Sequence, residues 1–291
     1  MAASALAIST SAPLVLATSA DPMAIALFRL CLMALLVLVG FVPLLLVGEA
    51  PGLRLPRPEA LALLGLGVVL GLHFGFWIPS VRSTSVTASV VIVTSHPLIV
   101  AVVSHLWLKE RASPLAVAGI LLSLLGVAVI FGTDFGSSSI TGDLLAAGGA
   151  VTLGAYLLVG RLKRRSGMHL LVYTTYVYSG AAATLAVAAF ALRSPLVPLS
   201  SSDFAAIFAM ALIPGMMGHT LYNWALRYLS ATVVSATHVI EPLGASILAL
   251  WLFSQQPPPG TALGGAIALV GILFVVRAEA AAAAARAPPP A

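Results

Sequence analysis

Apolar residues along this chain come in runs of about 17 to 25, the length an α-helix needs to cross roughly 30 Å of hydrocarbon, separated by short polar, Pro- or Gly-bearing links. The runs fall near residues 3–20, 24–47, 60–81, 86–108, 114–131, 143–161, 169–192, 204–226, 231–253 and 261–277. Ten transmembrane helices are expected, because in lipid an open chain satisfies its backbone hydrogen bonds only by coiling. No basic residue precedes the first run, which favours a membrane helix over a signal peptide cleaved after the small residues Ala17 to Ala20. Beyond the tenth, an Ala-rich stretch ending in Pro288, Pro289 and Pro290 predicts a disordered cytoplasmic tail over 279–291.

Composition agrees with that pattern. Of the 291 residues 60% are hydrophobic and 8% charged, against about a quarter charged in a soluble domain. A mean hydropathy of +1.09 excludes a soluble globular enzyme and leaves an all-α polytopic membrane protein. The lone cysteine, Cys31, excludes an intramolecular disulfide or a cysteine metal cluster and reads as a small buried hydrophobe.

The net charge of +5 sets orientation rather than nucleic-acid binding. With the N-terminus inside, Arg54, Arg57, Lys109, Arg111, Arg161, Lys163, Arg164, Arg165, Arg227, Arg277 and Arg286 all fall in the cytoplasm. Arg82 and Arg193 are outside, and Arg29 lies within helix 2, read as snorkelling or pairing with Asp21. Asp21, Asp134, Asp143 and Asp203 mark the external loops, so both termini are expected inside the cell.

One register shift pairs Arg82 with Arg227, Ser85 with Ser230, Thr87 with Thr232, Pro97 with Pro242, Gly119 with Gly264 and Gly126 with Gly271. Arg and Pro are scarce enough here for the coincidence to signal duplication. The halves would be 1–132 and 133–278, five helices each, and an odd number per half inverts the second relative to the first. Inverted repeats suit alternating access about a midplane site.

Specific passages carry a family resemblance: Asp21-Pro22 with Arg29 following, Ser80 to Ser85 leading to Pro97, Leu108-Lys109-Glu110-Arg111, and above all Tyr222 to Ser230 running into Glu241-Pro242. On these the chain resembles the EamA-type ten-helix members of the drug/metabolite transporter superfamily over nearly its whole length. Two departures are Gln255 and Gln256, where the second repeat often has an acid, and a first helix without the usual Trp-Gly start. The resemblance implies a secondary carrier exporting amino acids or related small metabolites across a bacterial inner membrane. A passive facilitator, an uptake carrier and a drug exporter remain open, as does a remote reading as an intramembrane lipid-handling protein.

The residues themselves point the same way. Glu241 is the only acid at mid-span, a position that costs roughly 2.5 to 3.5 kcal/mol on insertion scales and usually marks function, here proton coupling or an ammonium anchor, the alternative being a structural hydrogen bond to the opposite repeat. Pro97 and Pro242 remove the helical partners of the Val93 and His238 carbonyls, so they are candidate hinges whose freed carbonyls, beside a cavity, can accept from a substrate ammonium, the alternative being a kink for packing only. His96 is the repeat mate of Glu241 and a candidate relay partner, the alternative being a neutral, satisfied core histidine. His73 and Trp77 share one face of helix 3, and His219, Tyr222 and Asn223 one face of helix 8, as substrate contacts or interhelical glue. His238 and the deep Tyr156 complete the candidate substrate-binding set, while Tyr173, Trp107 and Trp251 read as interfacial belt residues. Gly65, Gly67, Gly71 and Gly75 read as a helix-packing face, not a phosphate loop. With no nucleophile motif and no ATP-binding segment, no enzyme activity, cofactor or metal is expected. The expected partners are a small-molecule substrate, a coupling proton and the bilayer, with no nucleic acid, in a monomer or weak dimer.

Overall fold

The computed structural model describes residues 1–84, 86–107, 113–132, 139–254 and 260–286. Ser85, Leu108, Lys109, Glu110, Arg111, Asp134, Gln255, Gln256 and the Pro288 to Pro290 run, all used above, lie outside the described residues. Among the described residues the chain is all-α, with six helices long and apolar enough to span a membrane and four shorter apolar ones, Ala2–Leu16, Ala88–Val103, Pro114–Gly126 and Leu263–Val275.

Several spans are single helices: α3 (Pro22–Leu46), α4 (Arg57–Ser83), α7 (Pro114–Gly132), α8 (Ile140–Arg165), α9 (Leu170–Ala191) and α14 (Thr261–Arg286). Their ends carry the expected chemistry. Asp21 caps α3 by accepting from the Met23 amide at 2.9 Å, and Pro22 occupies the first turn, where its missing amide hydrogen costs nothing. The His169 ring accepts from the Leu171 amide at the start of α9. Partial burial, together with Arg164 and Arg227 nearby, holds that imidazole below the ordinary histidine range, in the neutral form an acceptor needs. The last helix continues through Arg286, correcting the tail expected from residue 279; its extension is almost all alanine, the best helix former.

The other spans are broken, which the apolar pattern did not predict. The first is two helices, α1 (Ala2–Ser9) and α2 (Ser11–Leu16), because Pro13 cannot donate to the Ser9 carbonyl. The fourth breaks at Thr94 and Ser95 between α5 (Val86–Val93) and α6 (His96–Leu106), one turn before Pro97. The eighth runs through α10 (Ser201–Met210), a π-helix over Ala211–Thr220 that contains Pro214, and α11 (Leu221–Ala225). The ninth passes from α12 (Ala231–Ala236) through a 3₁₀ turn, Thr237–Ile240, to α13 (Glu241–Phe253).

Packing displays the duplication. Helix α7 lies against α14, and a side chain at Gly119 would strike the Gly271 carbonyl while one at Gly126 would strike that of Gly264. These two close approaches exchange under the repeat register, since Gly119 is the mate of Gly264 and Gly126 of Gly271. Between them Ser123 Oγ donates to the carbonyl of Ala268, its own mate 145 residues away, at 3.1 Å. A pseudo-twofold axis therefore passes through this crossing, and the halves are inverted. Elsewhere α4 packs on α8 and α9, with Gly67 against Val177 and Gly180, and Gly71 against Ala181 and Thr184; Gly65 faces open space. Cys31 is exposed on the flank of α3, not buried as expected.

Polar contacts sort by end. Where the basic residues gather, Arg161 Nη1 donates to the Leu226 and Arg227 carbonyls at 2.8 and 3.3 Å, Arg164 holds the Asn223 and Met168 carbonyls, and Lys163 lies 3.9 Å from Glu59. At the other end Arg82 Nη2 donates to the Val15 carbonyl at 3.1 Å, the Thr18 carbonyl and Thr18 Oγ1. Beside it Asp203 accepts from the Ser19 amide at 2.7 Å and from the Ser19 and Ser200 hydroxyls. Tyr173, expected in the interfacial belt, is instead buried against α8 with the Arg164 guanidinium 5.9 Å from its ring centre; Trp107 and Trp251 are exposed at the periphery.

Candidate substrate cavity

The broken spans converge on one cavity. The cavity holds about 20 Å³, roughly the space one water needs, and is lined by Ile8, Ser11, His73, Trp77, Val93, Leu153, His219, His238 and Glu241. Of the candidate residues, His73, Trp77, His219, His238 and Glu241 meet here from α4, the π-helix, the 3₁₀ turn and the first residue of α13.

Local winding explains the convergence. An extra residue per turn in the π-helix rotates the following side chains, which brings His219 round toward α4. The His219 ring lies 6.3 Å from His73 and edge-on to Phe74 at 5.2 Å. His73 Nδ1 is 2.9 Å from the Gly149 carbonyl, and its ring runs parallel to Trp77, within 7° at a centroid distance of 6.3 Å. On the opposite wall His238 is stacked 4.1 Å from Tyr222 and meets His96 edge-on at 4.9 Å. His96 and Tyr222 thus back the cavity by way of His238. Trp77 Nε1, His96 Nε2 and His238 Nε2 are buried with no hydrogen-bond partner among the described residues, which leaves this interior with polar groups for a guest or water to satisfy.

Both prolines sit where the helical winding fails, yet the carbonyls they release do not stand open as expected. The Val93 carbonyl is 2.9 Å from His96 Nδ1, and the His238 carbonyl accepts from the Glu241 amide in the 3₁₀ turn. Burial favours this outcome, because an unpaired carbonyl is costly and the nearest donor in its own chain takes it.

Tyr156 and Asn223 lie off the cavity in a closed chain of hydrogen bonds. The Tyr156 hydroxyl donates to Asn223 Oδ1 at 2.7 Å, Asn223 Nδ2 donates to the Tyr178 hydroxyl at 3.3 Å, and Tyr178 pairs with Thr220 Oγ1 at 2.8 Å. These hydrogen bonds join α8, α9 and the eighth span. Sequence reasoning missed Ser11 and Arg29. Arg29 does not snorkel or pair with Asp21: it is wholly buried, its Nη1 donates to Ser11 Oγ at 3.0 Å, and its guanidinium carbon sits 4.5 Å over the Phe74 ring. The available signal was a charge placed well inside an otherwise apolar run.

The chain is similar to known transporters over most of its length. It is 26% identical to an uncharacterized transporter of Archaeoglobus fulgidus, covering 87% of this chain and 86% of that one. It is 25% identical to the uncharacterized transporter YdfC of Bacillus subtilis, covering 87% and 81%, and 24% identical to a probable terminal-alkyne amino-acid exporter of Streptantibioticus cattleyicolor, covering 82% and 81%. A solved crystal structure 21% identical shares the fold, with a TM-score of 0.77 over 95% of both chains. The sequence profile described as the EamA-like transporter family matches residues 1–132 and 140–277, so the chain belongs to that family and is a membrane transporter.

Proposed function

We propose that this transporter is a secondary carrier that exports amino acids or related small polar metabolites from the bacterial cytoplasm, seated in the inner membrane with both termini inside. The halves rock about the cavity, driven by an ion gradient in which Glu241 carries the coupling proton. The observation that carries this reading is the placement of Glu241, the sole mid-span acid, on the wall of a cavity it shares with His73, His219 and His238. A likeness to a protein described as an amino-acid exporter supports the substrate class. The inverted halves crossing at Ser123 and Ala268 support alternating access.

Counterflow in proteoliposomes, with and without a pH gradient, tests the mechanism. Glu241→Gln is expected to fold and to lose acceleration by the gradient, with whatever exchange of labelled substrate remains being independent of pH. Gradient-driven flux equal to wild type in that variant would remove Glu241 from coupling, and gradient-independent flux in the wild type would make the protein a facilitator.

A further inference from the structure

Arg29 presents an unfilled binding edge. Its side chain is fully buried, and it is tied through Ser11 to the cavity wall that Glu241 also lines. Nη1 is engaged by Ser11, a cavity residue, while Nε and Nη2 have no hydrogen-bond partner among the described residues. Nε–H and Nη2–H share one edge of the planar guanidinium, and that edge matches the two oxygens of a carboxylate. A buried cation with an empty fork is costly, and the cost is removed by an anionic group that arrives with two acceptors. Glu241 does not fill the fork, although it is the acid at hand.

We propose that the fork of Arg29 anchors the carboxylate of the substrate and Glu241 its ammonium, so that the carrier selects zwitterionic α-amino acids. The assignment rests on the transport reading above. Charge balance gives it a sharp form. With Glu241 ionised, Arg29 and Glu241 offset each other in the site, and a zwitterion adds no net charge to a region of low dielectric. An amino-acid amide or a simple amine would add an uncompensated positive charge, and an N-acetyl amino acid a negative one. Once the halves part far enough to admit the guest, Ile8, Val93 and Leu153 offer an apolar wall for its side chain.

Ligand-induced stabilisation of the purified carrier tests this. The standard amino acids are screened first, and the tightest binder is compared with its amide, its decarboxylated amine and its N-acetyl derivative. The parent amino acid is expected to bind at least about tenfold more tightly than any of the three, the loss that follows from leaving one charged partner without its hydrogen bonds. Arg29→Gln is expected to abolish the preference for amino acid over amide. Arg29→Lys keeps the charge without the fork, guards against a Gln variant that does not fold, and is expected to reduce the preference several-fold. Equal binding of amino acid and amide by the wild type, or an undiminished preference in either variant, overturns the anchor and leaves amino-acid transport standing. Binding of another metabolite class with no response to any amino acid overturns the transport reading together with the anchor.

Discussion

Asn223 and Arg29 show how the same kind of signal, a polar side chain in an apolar run, resolves into different roles. Both had to face the interior, because lipid satisfies neither an amide nor a guanidinium. Which interior surface each one reaches depends on helix rotation, and sequence spacing does not encode that. Asn223 bonds at both ends to tyrosines, so Asn223→Leu should strand the Tyr156 hydroxyl and leave that of Tyr178 with Thr220 alone. A stranded group costs about 1 to 3 kcal/mol, which predicts a lower thermal midpoint in detergent with substrate affinity unchanged in the protein that remains folded. An affinity loss with full stability would instead make Asn223 a substrate contact. Asp21 illustrates the converse: the partner it was expected to provide for Arg29 is taken up by capping its own helix.

The helices divide by continuity, and every broken span reaches the cavity, where it meets the unbroken α4 and α8. Apart from the far end of α14, which runs on to Arg286, the unbroken spans have ends that lie close to those read from the apolar runs, because hydropathy measures thickness. Spans one, four, eight and nine contain a break, a π-helix or a 3₁₀ turn, and each contributes a residue to the cavity, namely Ser11, Val93, His219 and Glu241. Hydropathy is blind to winding, so only the prolines hinted at these irregularities, and they did so with the wrong consequence: the loosened carbonyls re-pair locally. Pro242→Ala should restore an amide donor to the His238 carbonyl and extend α13 backward through the 3₁₀ turn. The expected outcome is a carrier at least as stable as wild type that turns over more slowly, read by thermal unfolding and counterflow on one preparation; unchanged turnover would remove Pro242 as a hinge.

Across the whole molecule, the two ends of the bundle are closed by different means. At the basic end two arginines of α8 grip backbone carbonyls. At the other, the loop after α2 is held from both halves, by Arg82 of α4 and by Asp203 of α10. Asp203→Ala removes the second hold, and a cysteine placed at Ser11 should then react faster with a membrane-impermeant thiol reagent applied from outside, measured against Ser11→Cys in an otherwise wild-type chain. Equal labelling would show that Asp203 does not restrain the outer end. The sequence duplication anticipated this two-sided arrangement, because scarce Arg and Pro recur in register, whereas the hold by Asp203 arises from contacts 184 residues apart that no local pattern announces. The buried Arg29 and Glu241 also bear on bioenergetics. A carrier whose fixed charges cancel, loaded with a guest of zero net charge, moves nothing on which the membrane potential can act. Voltage supplies about 2.3 kcal/mol per elementary charge per 100 mV, so any voltage dependence of its flux would count the accompanying protons directly.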